Sequence, residues 1–209
     1  NLLWESLVGA WPVEADRAHA YAEKASREAG TATTWTEPNT DFEDRMHAAI
    51  DAVLGGGMLT ELVNDFVAAI APAGWSNGLA AKLLQLTGPG VPDVYQGSEL
   101  WETSLVDPDN RRPVDYAERR SLLARLDEGW LPDIDASGAA KMLVTSRALR
   151  ARRDRAELFT RYAPLPVIGE AAQHAIALDR GGAVTVATRL PIGLEARGGF
   201  GDTVIVLPQ

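Results

Sequence analysis

Gly88-Pro89-Gly90-Val91-Pro92-Asp93-Val94-Tyr95-Gln96-Gly97-Ser98-Glu99-Leu100 says more about the architecture than any other stretch of this chain. It follows an alanine- and leucine-rich helical pattern over residues 75–86, and the Gly-Pro-Gly run breaks that pattern. Pro92-Asp93-Val94-Tyr95 then reads as a short buried strand, and a polar loop runs from Gln96 to about Val114. Helix, break, short strand and long loop make one α/β unit. In a parallel α/β barrel the loops after the strands build the active-site face, and a loop of this length inside a compact domain is usually functional. Tyr95, Gln96 and Glu99 place an aromatic face and polar groups just past the strand, where a sugar ring needs both.

Towards the N-terminus the pattern is helical. Residues 2–29 carry two helical patterns split by Trp11-Pro12, the second running from about Val13 to Ala29 with Gly30 as its stop. Residues 31–39 are polar and read as a loop. Asp41, with Asp44 three residues on, starts a helix that reaches Leu54 and ends in Gly55-Gly56-Gly57. A further helix over about 59–70 is expected to stop near Pro72, because proline has no N–H to donate and clashes with the preceding turn.

Towards the C-terminus, residues 116–126 and about 137–158 are predicted helices, the latter with a basic run of Arg147, Arg150, Arg152, Arg153 and Arg155. Asp154 and Glu157 interrupt that run, so it reads as a solvated helix face rather than a site for an acidic partner. From about Pro164 onward the signal changes to short β-rich runs between glycine turns: 174–179, 183–189 and 203–207. The chain is therefore predicted to be helical over 1–160 and antiparallel β over 161–209, an α+β organisation without internal repeats.

Composition narrows the function. The 209 residues are 46% hydrophobic and 23% charged, with a formal net charge of −9. That charge repels nucleic acid and anionic membrane and suits a neutral ligand such as a sugar. Without cysteine there is neither a disulfide framework nor a thiolate metal site. His19, His47 and His174 lack ligand spacing. Asp107-x-Asp109 faintly suggests a calcium loop, but Arg111 and Arg112 stand where an oxygen ligand and a glycine are needed, so no metal is expected. No apolar run approaches the roughly 18 residues of a membrane span.

The segment GVPDVYQGSELWETSLVDPDNRRPVDY, residues 90–116, resembles the maltooligosyltrehalose synthase family of the α-amylase superfamily very closely. Its first half is similar to the eighth-strand region of that superfamily as a whole, and LVDPDNRRPVDY narrows the likeness. LLWESLVGAWP at 2–12, TTWTEPNTDFED at 33–44 and GGFGDTVIVLP at 198–208 are similar to further stretches of the same family. Gly30 stands where the family often has lysine, and Phe200 where it usually has tryptophan.

The resemblance implies a C-terminal portion of a (β/α)8 barrel including its eighth strand, with helical insertions, over 1–160, and a small antiparallel β-domain over 161–209. It implies part of a cytoplasmic enzyme that turns the reducing-end α-1,4 linkage of a maltooligosaccharide into an α,α-1,1 linkage, with no cofactor. The family's catalytic carboxylates are expected upstream of Asn1, so no catalytic residue is assigned and the chain alone is expected to be inactive. Substrate contact is assigned to Tyr95, Gln96, Glu99, Asp107, Asp109, Arg111 and Arg112, with Trp101 as a second stacking face and Trp35 and Asn39 as weaker candidates. The arginines either brace their own loop by ion pairing or point at sugar hydroxyls. A partial barrel exposes apolar faces and favours self-association. The competing readings are another α-amylase-superfamily glucan hydrolase or transferase, and a non-catalytic carbohydrate-binding module.

Overall fold

A computed structural model describes residues 1–207; Pro208 and Gln209, the end of the expected β region, lie outside the described residues. The chain forms two compact units, one from Asn1–Ile70 with Thr103–Pro113, the other from Ala71–Glu102 with the described residues from Val114 onward.

The first unit is helical. α1 (Leu2–Gly9) precedes the cis Trp11–Pro12 peptide, and α2 (Ala15–Ala29) ends at Gly30, whose φ of 65° supplies the left-handed turn of a helix C-cap. α3 (Thr40–Leu54) starts not at Asp41 but at Asn39, whose side chain accepts from the Phe42 N–H. Leu7, Ala10, Val13, Ala18, Ala22, Ile50, Val53 and Val63 form its buried core. Burying these side chains drives α2 and α3 together, since apolar area removed from water is worth about 25 cal/mol per Å2.

α4 (Met58–Thr87) corrects the sequence expectation. It is one helix of 30 residues with Pro72 inside it, not two helices broken there. Proline forfeits the bond to the carbonyl four residues back, yet a long helix absorbs one lost bond. The division between the two units falls at Ile70 and Ala71, just before this proline. No single helix among the described residues is long and apolar enough to cross a membrane.

The second unit holds α5 (Tyr116–Asp127), capped by Asp115 accepting from the Glu118 N–H, and α6 (Ala139–Asp154). Leu100, Leu126 and Met142 form a small buried core between them. A three-stranded antiparallel sheet follows, in the order β1 (Ala163–Pro164), β3 (Ala175–Asp179), β4 (Val184–Thr188). A two-stranded antiparallel pair joins β2 (Val167–Ile168) to β5 (Val204–Ile205). The turn between β3 and β4 is built on the buried Asp179, whose carboxylate accepts from Arg161 and from the N–H groups of Gly181 and Gly182. A Cβ on Gly182, at φ 133°, would lie 2.8 Å from Leu158, so only glycine fits. A short α7 (Pro191–Ala196) opens with proline at its first turn.

The strand expected at 91–95 is not one. The stretch pairs with no other described segment, and Val91 is 97% exposed. A strand exists through its ladder, and among the described residues no neighbour lies beside this one.

Candidate functional site

The seven candidate residues divide between the units: Tyr95, Gln96 and Glu99 lie in the second, Asp107, Asp109, Arg111 and Arg112 in the first.

In the second unit, residues 88–102 are fixed largely through their own backbone. The Tyr95 carbonyl accepts from the Ser98 N–H at 3.2 Å and the Ser98 hydroxyl at 2.7 Å, closing a turn. Gly97 sits at φ 85°, where a Cβ would come within 2.8 Å of Glu102 Oε2. Arg119 from α5 donates to the Gly97 carbonyl at 2.8 Å and to Glu99 Oε2 at 3.2 Å. Gln85 Nε2 donates to the Asp93 carbonyl at 2.6 Å. Tyr95, 46% exposed, and Gln96 remain open to solvent. Trp101 does not: it stacks on Trp75 with centroids 6.4 Å apart, donates its indole N–H to the Asp135 carbonyl at 2.7 Å, and has the Lys141 ammonium near its ring. The expected second stacking face is therefore a packing residue. Burial lowers the pKa of both Lys141 and the nearby Lys82.

The end of α4 is held in the same manner. Its last carbonyls have no partner within the helix. Arg152 from α6 donates to the carbonyls of Leu86, Gly88 and Gly90, and the buried Arg180, just past β3, donates to those of Thr87 and Gly88. Arg180 also reaches the carbonyls of Arg161 at 2.7 Å and Phe159 at 3.1 Å. Cations there also complement the negative end of the helix dipole. The basic run of α6 is thus not only a solvated face: Arg152 caps α4 and Arg147 donates to the Leu126 carbonyl.

In the first unit, residues 103–113 are held by carboxylate–guanidinium pairs. Arg17 of α2 grips Asp109 with two bonds, Nε at 2.7 Å and Nη2 at 2.8 Å, and also donates to the Thr103 carbonyl and to Glu14. Asp109 also accepts from the Leu105 N–H at 2.6 Å. Arg17 holds the Asp109 carboxyl below its ordinary range, and Asp109 in turn raises Arg17. Lys24 donates to the Asp107 carbonyl. Arg112 donates to the Asp109 carbonyl at 3.2 Å and the Ser104 hydroxyl at 2.9 Å, so it braces the loop. Arg111 makes a 2.5 Å pair with Asp107, but both are largely exposed, at 70% and 47% of the side chain. Asn110 Oδ1 is buried without a partner among the described residues.

Of the weaker candidates, Asn39 is spent on the α3 cap, while Trp35 is 55% exposed. Beside them the buried Glu43 accepts two 2.8 Å bonds from Arg27 and one of 2.6 Å from the Thr33 hydroxyl, which lower its pKa to about 2. The histidines were read as scattered, yet His19 Nδ1 and His47 Nδ1 lie 2.7 Å apart across α2 and α3. Arg17 and Arg180 escaped the sequence reading because their partners lie about ninety residues away in the chain.

No protein-family model matches the chain. Two Mycobacterium tuberculosis proteins, from strains CDC 1551 and H37Rv, are named provisionally as maltooligosyl trehalose synthase. Each is 46% identical over 219 aligned positions, covering 100% of this chain and 27% of the relative. Among solved structures, the maltooligosyltrehalose synthase of Arthrobacter ramosus is 55% identical with a TM-score of 0.93, over 99% of this chain and 27% of its own. Another maltooligosyl trehalose synthase crystal structure is 26% identical with a TM-score of 0.77, over 89% of this chain and 27% of its own. By sequence and by fold, the chain belongs to the maltooligosyltrehalose synthases and spans about a quarter of the length of the relatives it matches.

Proposed function

We propose that this chain supplies glucan-holding loops to an enzyme that moves the reducing-end α-1,4 linkage of a maltooligosaccharide to an α,α-1,1 linkage by intramolecular transglycosylation. The observation that carries the proposal is the 55% identity at TM-score 0.93 across 99% of the chain to a protein of that name. The chemistry is a retaining glucosyl transfer. It needs a carboxylate nucleophile and a carboxylic acid/base roughly 5–5.5 Å apart, and both are assigned to other parts of the full-length protein. Residues 1–160 are assigned to the barrel end of that enzyme, residues 161–209 to a β-domain, and the reaction to the cytoplasm.

Within the chain, Tyr95 and Gln96 offer an open aromatic face and an amide to a sugar ring. Glu99, Asp107, Asp109 and Arg112 are engaged within their loops and act by shaping them, with Asp107 also exposed at the surface. Arg111 is the group freest to turn towards a hydroxyl, since its one ion pair is exposed and such pairs are weak. The released glucose has to stay against the glucosyl-enzyme until it attacks through its anomeric hydroxyl. A loop that loosens lets water compete, and glucose is lost.

Replacing Arg111 or Arg112 by alanine in the full-length enzyme, with maltopentaose as substrate, tests this. Free glucose should rise relative to trehalose-linked product. If both variants keep the parental product ratio, the site assignment fails. If the parent forms only hydrolysis products, the transferase reading fails and a glucan hydrolase takes its place.

A further inference from the structure

One face of α2, carrying Asp16, Arg17, Ala20, Tyr21 and Lys24, forms the floor of a cavity of about 430 Å3, and Trp35 with residues 106–109 forms its walls. The whole cavity lies within the first unit. Its volume falls in the roughly 300–1,000 Å3 range of small-molecule sites.

The lining is apolar and aromatic, with its unspent polar groups at the edge. Trp35 lines the cavity while the Arg27 guanidinium, which is not part of the lining, stands 5.1 Å from its ring centroid and holds it. Arg27 is itself fixed by Glu43 and Glu23, so the indole is a pre-set platform. The Ser6 hydroxyl gives its one proton to the Leu2 carbonyl at 2.8 Å, so the Tyr21 O–H 3.1 Å away donates to Ser6 and the Tyr21 oxygen keeps a lone pair to accept. Lys24 donates one of its three N–H groups to the Asp107 carbonyl and stands 3.8 Å from Glu28 Oε1, which leaves an N–H to donate. Asp16 is exposed at the rim as an acceptor. Arg17 is consumed by Asp109, Glu14 and Thr103, and Asp107 is paired with Arg111. Counting Arg111, three acidic and three basic side chains surround the space, so the site favours neither an anion nor a cation.

A flat apolar face, a donor and acceptors around it, and no net charge are what a pyranose ring requires: its C–H face lies on an aromatic ring and its hydroxyls both give and accept hydrogen bonds. A docked apolar segment of protein would leave the charged rim desolvated and unpaired. We propose that this cavity holds one glucosyl unit of an α-1,4-glucan, with Trp35 as the platform, Lys24 as the donor and Tyr21 and Asp16 as acceptors. The proposal rests on the reading of the chain as part of a glucan-acting enzyme, and it adds a site apart from Tyr95, Gln96 and Glu99.

The test is a titration of the 209-residue chain with maltotriose, followed by the indole and backbone N–H signals in two-dimensional NMR, with the Trp35 indole signal assigned through Trp35→Phe. The Trp35 indole and the amides around Asp16 and Lys24 should shift together, with a dissociation constant of about 1–10 mM, the range expected for a single shallow sugar site. Asp16→Ala, which alters an exposed rim residue and leaves the fold intact, should weaken that binding roughly 10-fold. A Trp35 indole signal that stays fixed up to about 50 mM maltotriose, several-fold above that range, overturns the proposal. So does a response to cyclohexanol without one to maltotriose, which would make the cavity a dock for an apolar group. Shifts confined to residues 95–99 or 110–112 would likewise overturn it while leaving the wider glucan-holding role standing.

Discussion

Residues 88–102 and residues 103–113 are adjacent in sequence and are held by different physics. The first stretch and the helix end before it are pinned by cations on backbone carbonyls: Arg152, Arg180, Lys141 and Arg119 all donate to main-chain oxygens there. The second is pinned mainly by carboxylates on guanidinium groups, with Asp109 on Arg17 at the centre. A carbonyl does not titrate in the accessible range and a carboxylate does. The first set of clamps should therefore outlast acid and the second should not. The charge-rich block is also less available to a ligand than its composition suggests, because most of its charges are already spent on each other.

The largest effect is expected from Arg180. It is 5% exposed and donates to four carbonyls. Arg180→Met should destabilise the second unit by about 3 kcal/mol, since several buried acceptors lose a charged donor at once. Hydrogen exchange of the amides in β3 and the last turn of α4 reads it, and unchanged protection there would mean that Arg152 suffices alone.

Arg17→Met should come next, at about 2 kcal/mol, because the pair with Asp109 is largely shielded and doubly bonded. Its sign with pH follows from Asp109, whose folded pKa lies below the ordinary carboxylate value because Arg17 hydrogen-bonds it. The clamp contributes fully above the unfolded pKa of about 3.9 and is lost as pH falls through the lower folded value. Glu43 acts in the same direction over a defined window, from its ordinary 4.5 down to about 2. Acid titration followed by hydrogen exchange should thus loosen residues 103–113 before residues 88–102. Loss of both stretches at one pH would erase the contrast drawn above.

Arg111→Ala should be the smallest, within about 0.5 kcal/mol, because an exposed pair is worth little. Thermal unfolding of this variant beside Arg17→Met separates a clamp from a free arm. Equal losses would make Arg111 a second clamp.

The difference between the two loops also marks how far the sequence could be read. α2 and α3 were legible because their ends carry local signals: Gly30 at a left-handed turn and the Gly55-Gly56-Gly57 stop. β3 and β4 were legible from alternating runs bounded by glycine. α4 was split in two because Pro72 reads as a break, whereas the helix runs through it at the cost of one main-chain bond. α7 was missed because six residues hold less than two turns of pattern. At the candidate site, Tyr95 and Gln96 were found in the open state a ligand needs. Arg17, Arg119 and Arg180 were not singled out, since a clamp to a distant segment leaves no periodic trace, and Trp101 was misread because exposure cannot be inferred from a loop address alone.

Arg180 has a further consequence on the ribosome. The carbonyl of Thr87 must wait for a side chain about ninety residues further on, while that of Gly88 meets Arg152 first. At roughly 5–20 residues per second that wait is on the order of 5–20 s. For that time the C-terminal turn of α4 leaves the exit tunnel without the arginine that finishes it, frayed and bound to water. Synthesis of β3 is thus the event that completes a helix begun much earlier, and chains stalled before residue 180 should carry an unfinished α4 end accessible to proteases.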